Sequence, residues 1–343
     1  MKKWSLLLLT MAMSSSAFAG ELVFSSWGGA YQDAIRHAWL TPFSKETGIE
    51  ITEDTDPQIA KIKAMEDTNS MVWDVVSGGG VGMIRGEKMG LFEKITPDMV
   101  DESDIMKPAR SDYGIPSEIY SNLVAYSTKA FPKGKPHPVT FADFWNVKKF
   151  PGKRTLPNKP ETVLEAALMA DGVPVNKVYD VLSTKKGLDR AFNKVKELLP
   201  YVSVFWSSSA QPVQMLGSGE VVMAFGSNGR FQNGIDNGLP IKMSWANQVP
   251  QVGYMMIPKG APDKAEALKF FNYVAKAKNN ARLSEYVSYG PVTNGAWDYI
   301  DEKRASRLPS APKHMKNAVF IDTKWWSEHS KSVTERYLKL IQG

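Results

Sequence analysis

Two rhythms of apolar and polar positions alternate along this chain. Residues 21–26 (ELVFSS) read as a strand, and residues 31–47 carry Ile35, Trp39 and Phe43 at helical spacing on one face. A second strand is expected at 49–53, a helix at 59–67 and a third strand at 73–76. This βαβαβ order predicts a parallel or mixed sheet with helices on its faces. In such sheets ligands sit beyond the carboxyl ends of the strands, where the loops converge.

The pattern then repeats. A strand at 123–127 is expected to leave the first unit, and the proline-rich stretch 129–138 (KAFPKGKPHP) marks the boundary after it. Helices are expected at 141–145, 161–170 and 186–199, and a strand at 219–224. A second boundary falls at 255–258 followed by Gly260-Ala261-Pro262, and residues 263–276 form an amphipathic helix with Leu268, Phe271 and Val274 inward. Two boundaries make the chain cross between units at least twice, which suits a cleft that closes on a hinge. The last segment, from Trp325 to Leu340, has helical spacing with Val333, Tyr337 and Leu340 on one face.

Composition narrows the class. The chain opens MKKWSLLLLTMAMSSSAFAG, with two lysines, a short apolar run and small residues, so residues 1–19 read as a signal peptide cleaved after Ala19. No later stretch reaches the ~18 apolar residues of a membrane-spanning helix. Removal of Lys2 and Lys3 leaves 40 basic residues against 36 acidic, dispersed along the chain, so nucleic-acid binding has no support. With no cysteine, the chain has neither disulfides nor thiolate metal sites, and it must be held by its core. Histidines at 37, 137, 314 and 329 are scattered, no hydrolase motif occurs, and no Tyr-Tyr pair supports iron. No cofactor and no catalysis are expected.

Strand ends carry the candidate chemistry. The first strand runs into Ser26-Trp27-Gly28-Gly29-Ala30-Tyr31 and the third into Ser77-Gly78-Gly79-Gly80. Both are expected to be glycine turns that bring backbone N–H groups to a ligand, although ordinary tight turns would look the same. A third such end is FGSNGRFQNG, where Gly226, Asn228 and Gly229 break the run Val221–Ala224 and set Arg230 beside a flexible corner.

In order and spacing, SSWGGAY, WDVVSGGG, GIPSEIYSNLVAYSTKAF, GEVVMAFGSNGR, MMIPKGAPDKAEALKFFNYVA, SYGPVTNGA and KWWSEHSKSVTERYLKLI resemble the periplasmic solute-binding proteins of ABC importers, above all the spermidine/putrescine-binding group. The resemblance covers the mature chain. It implies an α/β fold of the two-lobed, type II periplasmic kind, with a hinge and a ligand cleft. Lobe 1 would comprise 20–127 and 257–308, and lobe 2 would comprise 128–256 and 309–343, with the last helix lying across both. A monomer is expected, handing one small solute to a permease in the inner membrane.

The same resemblance implies an aromatic box of Trp27, Tyr31, Trp206 and Tyr289, any of which core packing would also explain. Gly78, Ser117, Tyr120, Thr162, Ser209 and Tyr254 are further candidate contacts. The family's acids are missing, however. Thr162 stands where the ligand-facing glutamate is expected, Lys159 and Gly253 replace aspartates, and Arg230 takes the place of another. Arginine's planar fork suits a carboxylate or phosphonate, so the expected ligand is an anion-bearing amine or amino-acid-like compound, with a polyamine as the alternative. Glu118 is the acid left to meet an amine from another direction, and an exposed pair with Asp236 is the bland role for Arg230.

Overall fold

The computed structural model describes residues 20–342, so the expected signal segment and its cleavage site lie outside the described residues. Nine strands among these residues build one mixed sheet: β1 (Glu21–Ser26), β2 (Glu50–Thr55), β3 (Val75–Gly79), β4 (Ile115–Ser127), β5 (Arg154–Pro157), β6 (Val202–Trp206), β7 (Met223–Ser227), β8 (Ile241–Met243) and β9 (Val249–Met256). Their spatial order is β2-β1-β3-β9-β4-β7-β5-β6, with β8 paired to β4. Each half has a parallel group, β2-β1-β3 in one and β6-β5-β7 in the other. Between them β9 runs antiparallel to β3 and β4, and β4 runs antiparallel to β7.

The two largest hydrophobic cores among the described residues flank this arrangement, one in each half. In the first half Leu22, Phe24 and Val75 of the sheet pack against Ile35, Trp39 and Phe43 and against Phe270, Phe271 and Val274. Helical spacing was expected over residues 31–47; residues 29–47 are helical throughout, but Arg36–Leu40 forms a π-helical turn, after which the helix ends at Gly48 in the left-handed region. In the second half Val124, Tyr126, Met223 and Phe225 pack against Phe141, Phe144, Leu164 and Phe192.

Val124 and Tyr126 therefore belong to the second core, while Met255 and Ile257 belong to the first. The changeover between halves falls inside β4 and β9, not after Ser127 and Met256 as the sequence suggested. Pro116 and Glu118 interrupt the apolar pattern before Leu123, which hid the first part of this 13-residue strand, and the pairing with β9 shifts register between them. A second correction concerns the corner around Arg230. Gly226 and Ser227 continue β7, and Asn228–Asp236 is a helix, so the expected flexible turn is a strand running directly into a helix. Gly78 and Gly79 likewise remain in β3, paired with Tyr254 and Gly253.

The closing helix, Thr323–Gln342, buries Trp325, Trp326, Val333 and Tyr337 in the second core. Its start rests on the first half, where a Cβ at Gly80 would lie 2.4 Å from Thr323 Cγ2 and Lys88 donates to Ser327 at 3.0 Å. Two charged side chains are fully buried in the second half. Arg154 donates to the carbonyls of Phe144 (2.9 Å), Phe150 (2.5 Å) and Gly152, so its donors are satisfied without a carboxylate. Glu165 Oε1 accepts from Tyr179 Oη at 2.6 Å and from Trp326 Nε1 at 2.7 Å.

Candidate ligand-binding cleft

A cavity of about 370 Å³ opens where the two halves meet. From the first half come Trp27 and Tyr31, following β1, with Gly78 and Gly79 of β3 and Tyr289. The second half contributes Asn158 and Lys159 after β5, then Trp206, Ser207 and Ser209 at the end of β6, and Ser227 and Arg230 after β7. The shared strands supply Glu118, Tyr120 and Asn122 from β4 and Gln251 and Gly253 from β9. Gly28 and Gly29, both with positive φ, turn the chain out of β1 so that Trp27 stands in the opening, about half exposed.

Of the eleven expected contacts, Trp27, Tyr31, Gly78, Tyr120, Trp206, Ser209, Arg230 and Tyr289 line this cavity. Ser117, Thr162 and Tyr254 do not. Strand alternation accounts for two of these: Glu118, Tyr120 and Asn122 share one face of β4, which turns Ser117 away, and its carbonyl accepts from Asn280. Gln251 and Gly253 face the cavity on β9, so Tyr254 points into an adjoining space beside Gly80 and Thr323. Thr162 is fully buried behind the wall at φ 71°, where its hydroxyl accepts from Asn122 Nδ2 at 2.9 Å and so orients a residue that does line the cavity. Trp206 has both of its possible roles, since Nε1 donates to Phe225 O at 3.1 Å while the ring borders the cavity. Asn122 and Gln251 escaped the sequence reading because the alternation along β4 and β9 becomes visible only once the strand limits are known.

The charges are unevenly placed. Arg230 is exposed to the cavity and makes no ion pair among the described residues; Asp236, its expected surface partner, binds Arg307 at 3.1 Å instead. Gly229 permits this arrangement, because a Cβ there would lie 2.6 Å from the Tyr289 ring that backs the helix start. Glu118 is the one acid in the lining and is 2% exposed. Its Oε1 accepts from Tyr31 Oη at 2.6 Å, and its buried Oε2 has no partner. Burial pushes this carboxyl above the ordinary range, against the opposing pull of the Ser117 and Tyr31 hydroxyls. The Tyr31 and Tyr120 rings lie 5.9 and 5.6 Å from that of Tyr289, and burial raises all three phenols, so they stay neutral. The cleft thus offers a cationic fork, a lysine, one buried carboxylate and a tyrosine cage. Among the described residues no group of three His, Cys, Asp or Glu side chains is placed to hold a metal.

The family model described as bacterial extracellular solute-binding protein matches residues 38–314. The γ-aminobutyric acid-binding protein of Pseudomonas aeruginosa is 33% identical over 335 residues, covering 97% of this chain and 94% of that protein. The spermidine/putrescine-binding periplasmic protein of Escherichia coli K12 is 26% identical over 318 residues, covering 86% and 85%. Among solved structures, an ABC transporter substrate-binding protein from Bradyrhizobium japonicum matches with a TM-score of 0.88 and 36% identity, covering 94% of this chain and all of that one.

Proposed function

The chain belongs to the bacterial extracellular solute-binding family and is the substrate-binding protein of an ABC transporter, and on that premise we propose that its solute is an amino-acid-like zwitterion whose carboxylate docks on Arg230. One observation carries the reading: Arg230 faces the cavity while the nearby acid Asp236 is taken by Arg307. A guanidinium held without a protein carboxylate is open to a ligand carboxylate, which it binds as a bidentate pair. Arg230 also sits in the first turn of Asn228–Asp236, where the helix dipole favours negative charge. The Pseudomonas aeruginosa relative, named for γ-aminobutyric acid, agrees with a ligand of this kind.

A polyamine remains the second reading, because the Escherichia coli relative is named for spermidine and putrescine. Against it, a dication would meet Arg230 and Lys159 with only Glu118 to balance them. In this reading the protein works as a monomer in the periplasm after loss of residues 1–19. It passes its solute to the permease without catalysis and without binding nucleic acid.

Calorimetric titration of refolded, ligand-stripped protein tests the carboxylate anchor. Arg230→Ala is expected to weaken γ-aminobutyrate binding about ten- to hundredfold, the ~1.5–3 kcal/mol of a charge-assisted hydrogen-bonded contact. Equal affinity in wild type and variant would remove Arg230 from the site. Tight putrescine binding by the wild type, unaffected by the substitution, would favour the polyamine.

A further inference from the structure

We propose that Glu118 is the amine-binding residue of this cleft and that Gly253 is glycine in order to admit it. The proposal rests on the reading of Arg230 as the carboxylate anchor. Two independent observations point to it, one concerning the carboxylate and one concerning the space around it.

The carboxylate is buried without sufficient partners. Glu118 is 2% exposed and receives one hydrogen bond, from Tyr31. Its second oxygen makes no hydrogen bond among the described residues, the equally unpartnered Ser117 hydroxyl being the one other group that pulls on the carboxyl, and Glu118 is the only acid in this wall. An unpaired buried charge is costly, and a fold retains one where a ligand completes it. An ammonium group supplies what Oε2 lacks, a positive charge and N–H donors in one small head. The surroundings suit the same head, since Tyr31, Tyr120 and Tyr289 line the cavity with Glu118 and aromatic rings favour a cation.

The space comes from Gly253. Glu118 and Gly253 are paired neighbours on β4 and β9. A Cβ at 253 would lie 2.0 Å from Glu118 Oε1 and 2.5 Å from its carboxyl carbon, so any other side chain there would displace the carboxylate. Gly253 is not in the left-handed region, so its backbone does not demand glycine. The requirement is room for Glu118. An acid on either strand of this pair would deliver its carboxylate to the same part of the cavity, but both cannot be accommodated at once.

With Arg230 for the carboxylate and Glu118 for the amine, the site takes ω-amino acids and rejects both simple carboxylates and simple amines. The full mature chain is titrated with γ-aminobutyrate, butyrate and butylamine as probes. Wild type is expected to prefer γ-aminobutyrate to butyrate, and Glu118→Gln, which keeps the shape and the Tyr31 contact, is expected to lose about ten- to hundredfold of that preference. Its butyrate affinity should be no weaker than that of wild type, and the empty protein should be at least as resistant to urea, since a buried negative charge has gone. A purely structural role for Glu118 predicts instead a less stable protein with the preference intact. The double variant Glu118→Gly, Gly253→Asp places an acid on the facing strand at the same point of the cavity and should recover the preference for γ-aminobutyrate.

Retention of the preference in Glu118→Gln would overturn the assignment while leaving Arg230 as the carboxylate anchor. Binding of butylamine but of neither acid, lost in Glu118→Gln, would sink the Arg230 reading and keep the amine site. Failure of all three probes to bind the wild type would overturn both.

Discussion

Trp326→Ala is expected to lower the unfolding free energy by about 3–5 kcal/mol, the range for deleting a large aromatic side chain from a packed core. Trp326 has no solvent exposure and meets Trp325 edge-on at 5.0 Å within the core of the second half. The substitution removes more than packing, because Trp326 Nε1 is one of the two donors to the buried carboxylate of Glu165. With that donor gone the carboxylate keeps only the Tyr179 hydroxyl, and an under-solvated buried charge adds to the loss. Urea unfolding of the purified protein measures the difference. Trp27→Ala, at a half-exposed ring in the cleft opening, serves as the control and should stay within about 0.5 kcal/mol of wild type. Equal losses for the two tryptophans would mean that the closing helix is not part of the core.

Glu165 itself should make stability depend on pH in an unusual sense. Burial pushes its pKa up to about 7, with the Tyr179 and Trp326 hydrogen bonds pulling the other way. The unfolded chain has a Glu pKa near 4.3. Between these values the folded protein holds a proton that the unfolded chain does not, so stability rises as pH falls from about 7 to about 4.5. Above pH 7 both states are ionised and this group contributes no further slope. The full change is about 3.7 kcal/mol, at ~1.4 kcal/mol per pKa unit. Glu165→Gln cannot titrate, so the difference between wild type and variant should change by about 2.5 kcal/mol between pH 8 and pH 5, in favour of wild type at the acid end. Asp143, whose hydrogen-bonded carboxyl is lowered, acts in the opposite sense below this window. A wild type to variant difference that stays constant with pH would show that Glu165 is ionised throughout.

Residues whose neighbours in sequence are also their neighbours in space were the readable part. The helices Ile59–Asp67 and Phe141–Trp145 match their expected limits, and the faces Ile35–Trp39–Phe43 and Val333–Tyr337 are buried as their spacing requires. Strands proved harder, because β4 contains Pro116 and Glu118 and does not look apolar until Leu123. That misplacement also hid which side chains share a face. Ser117 and Tyr254 were off by one position on their strands, and in a structure of period two that is the difference between lining the cavity and turning away from it. Glu118 was legible only as an acid without a position. Its significance depends on the missing Cβ of Gly253, more than a hundred residues downstream, and on Tyr31, and no local pattern connects the three.

The placement of β9 between β3 and β4 has a consequence for the order in which the molecule can be made. β3 lacks its second neighbour until residues 249–256 exist, and Trp39 lacks its carbonyl acceptor until Asn279, 240 residues later, has been added. Synthesis from the amino terminus therefore leaves the first half as a partial sheet with an open apolar edge at Val75 and Val76 for most of the elongation time. Contacts this distant close slowly even in the finished chain. Neither half of the sheet can therefore be completed before residues 249–256 are added, because β9 is the neighbour that both β3 and β4 await.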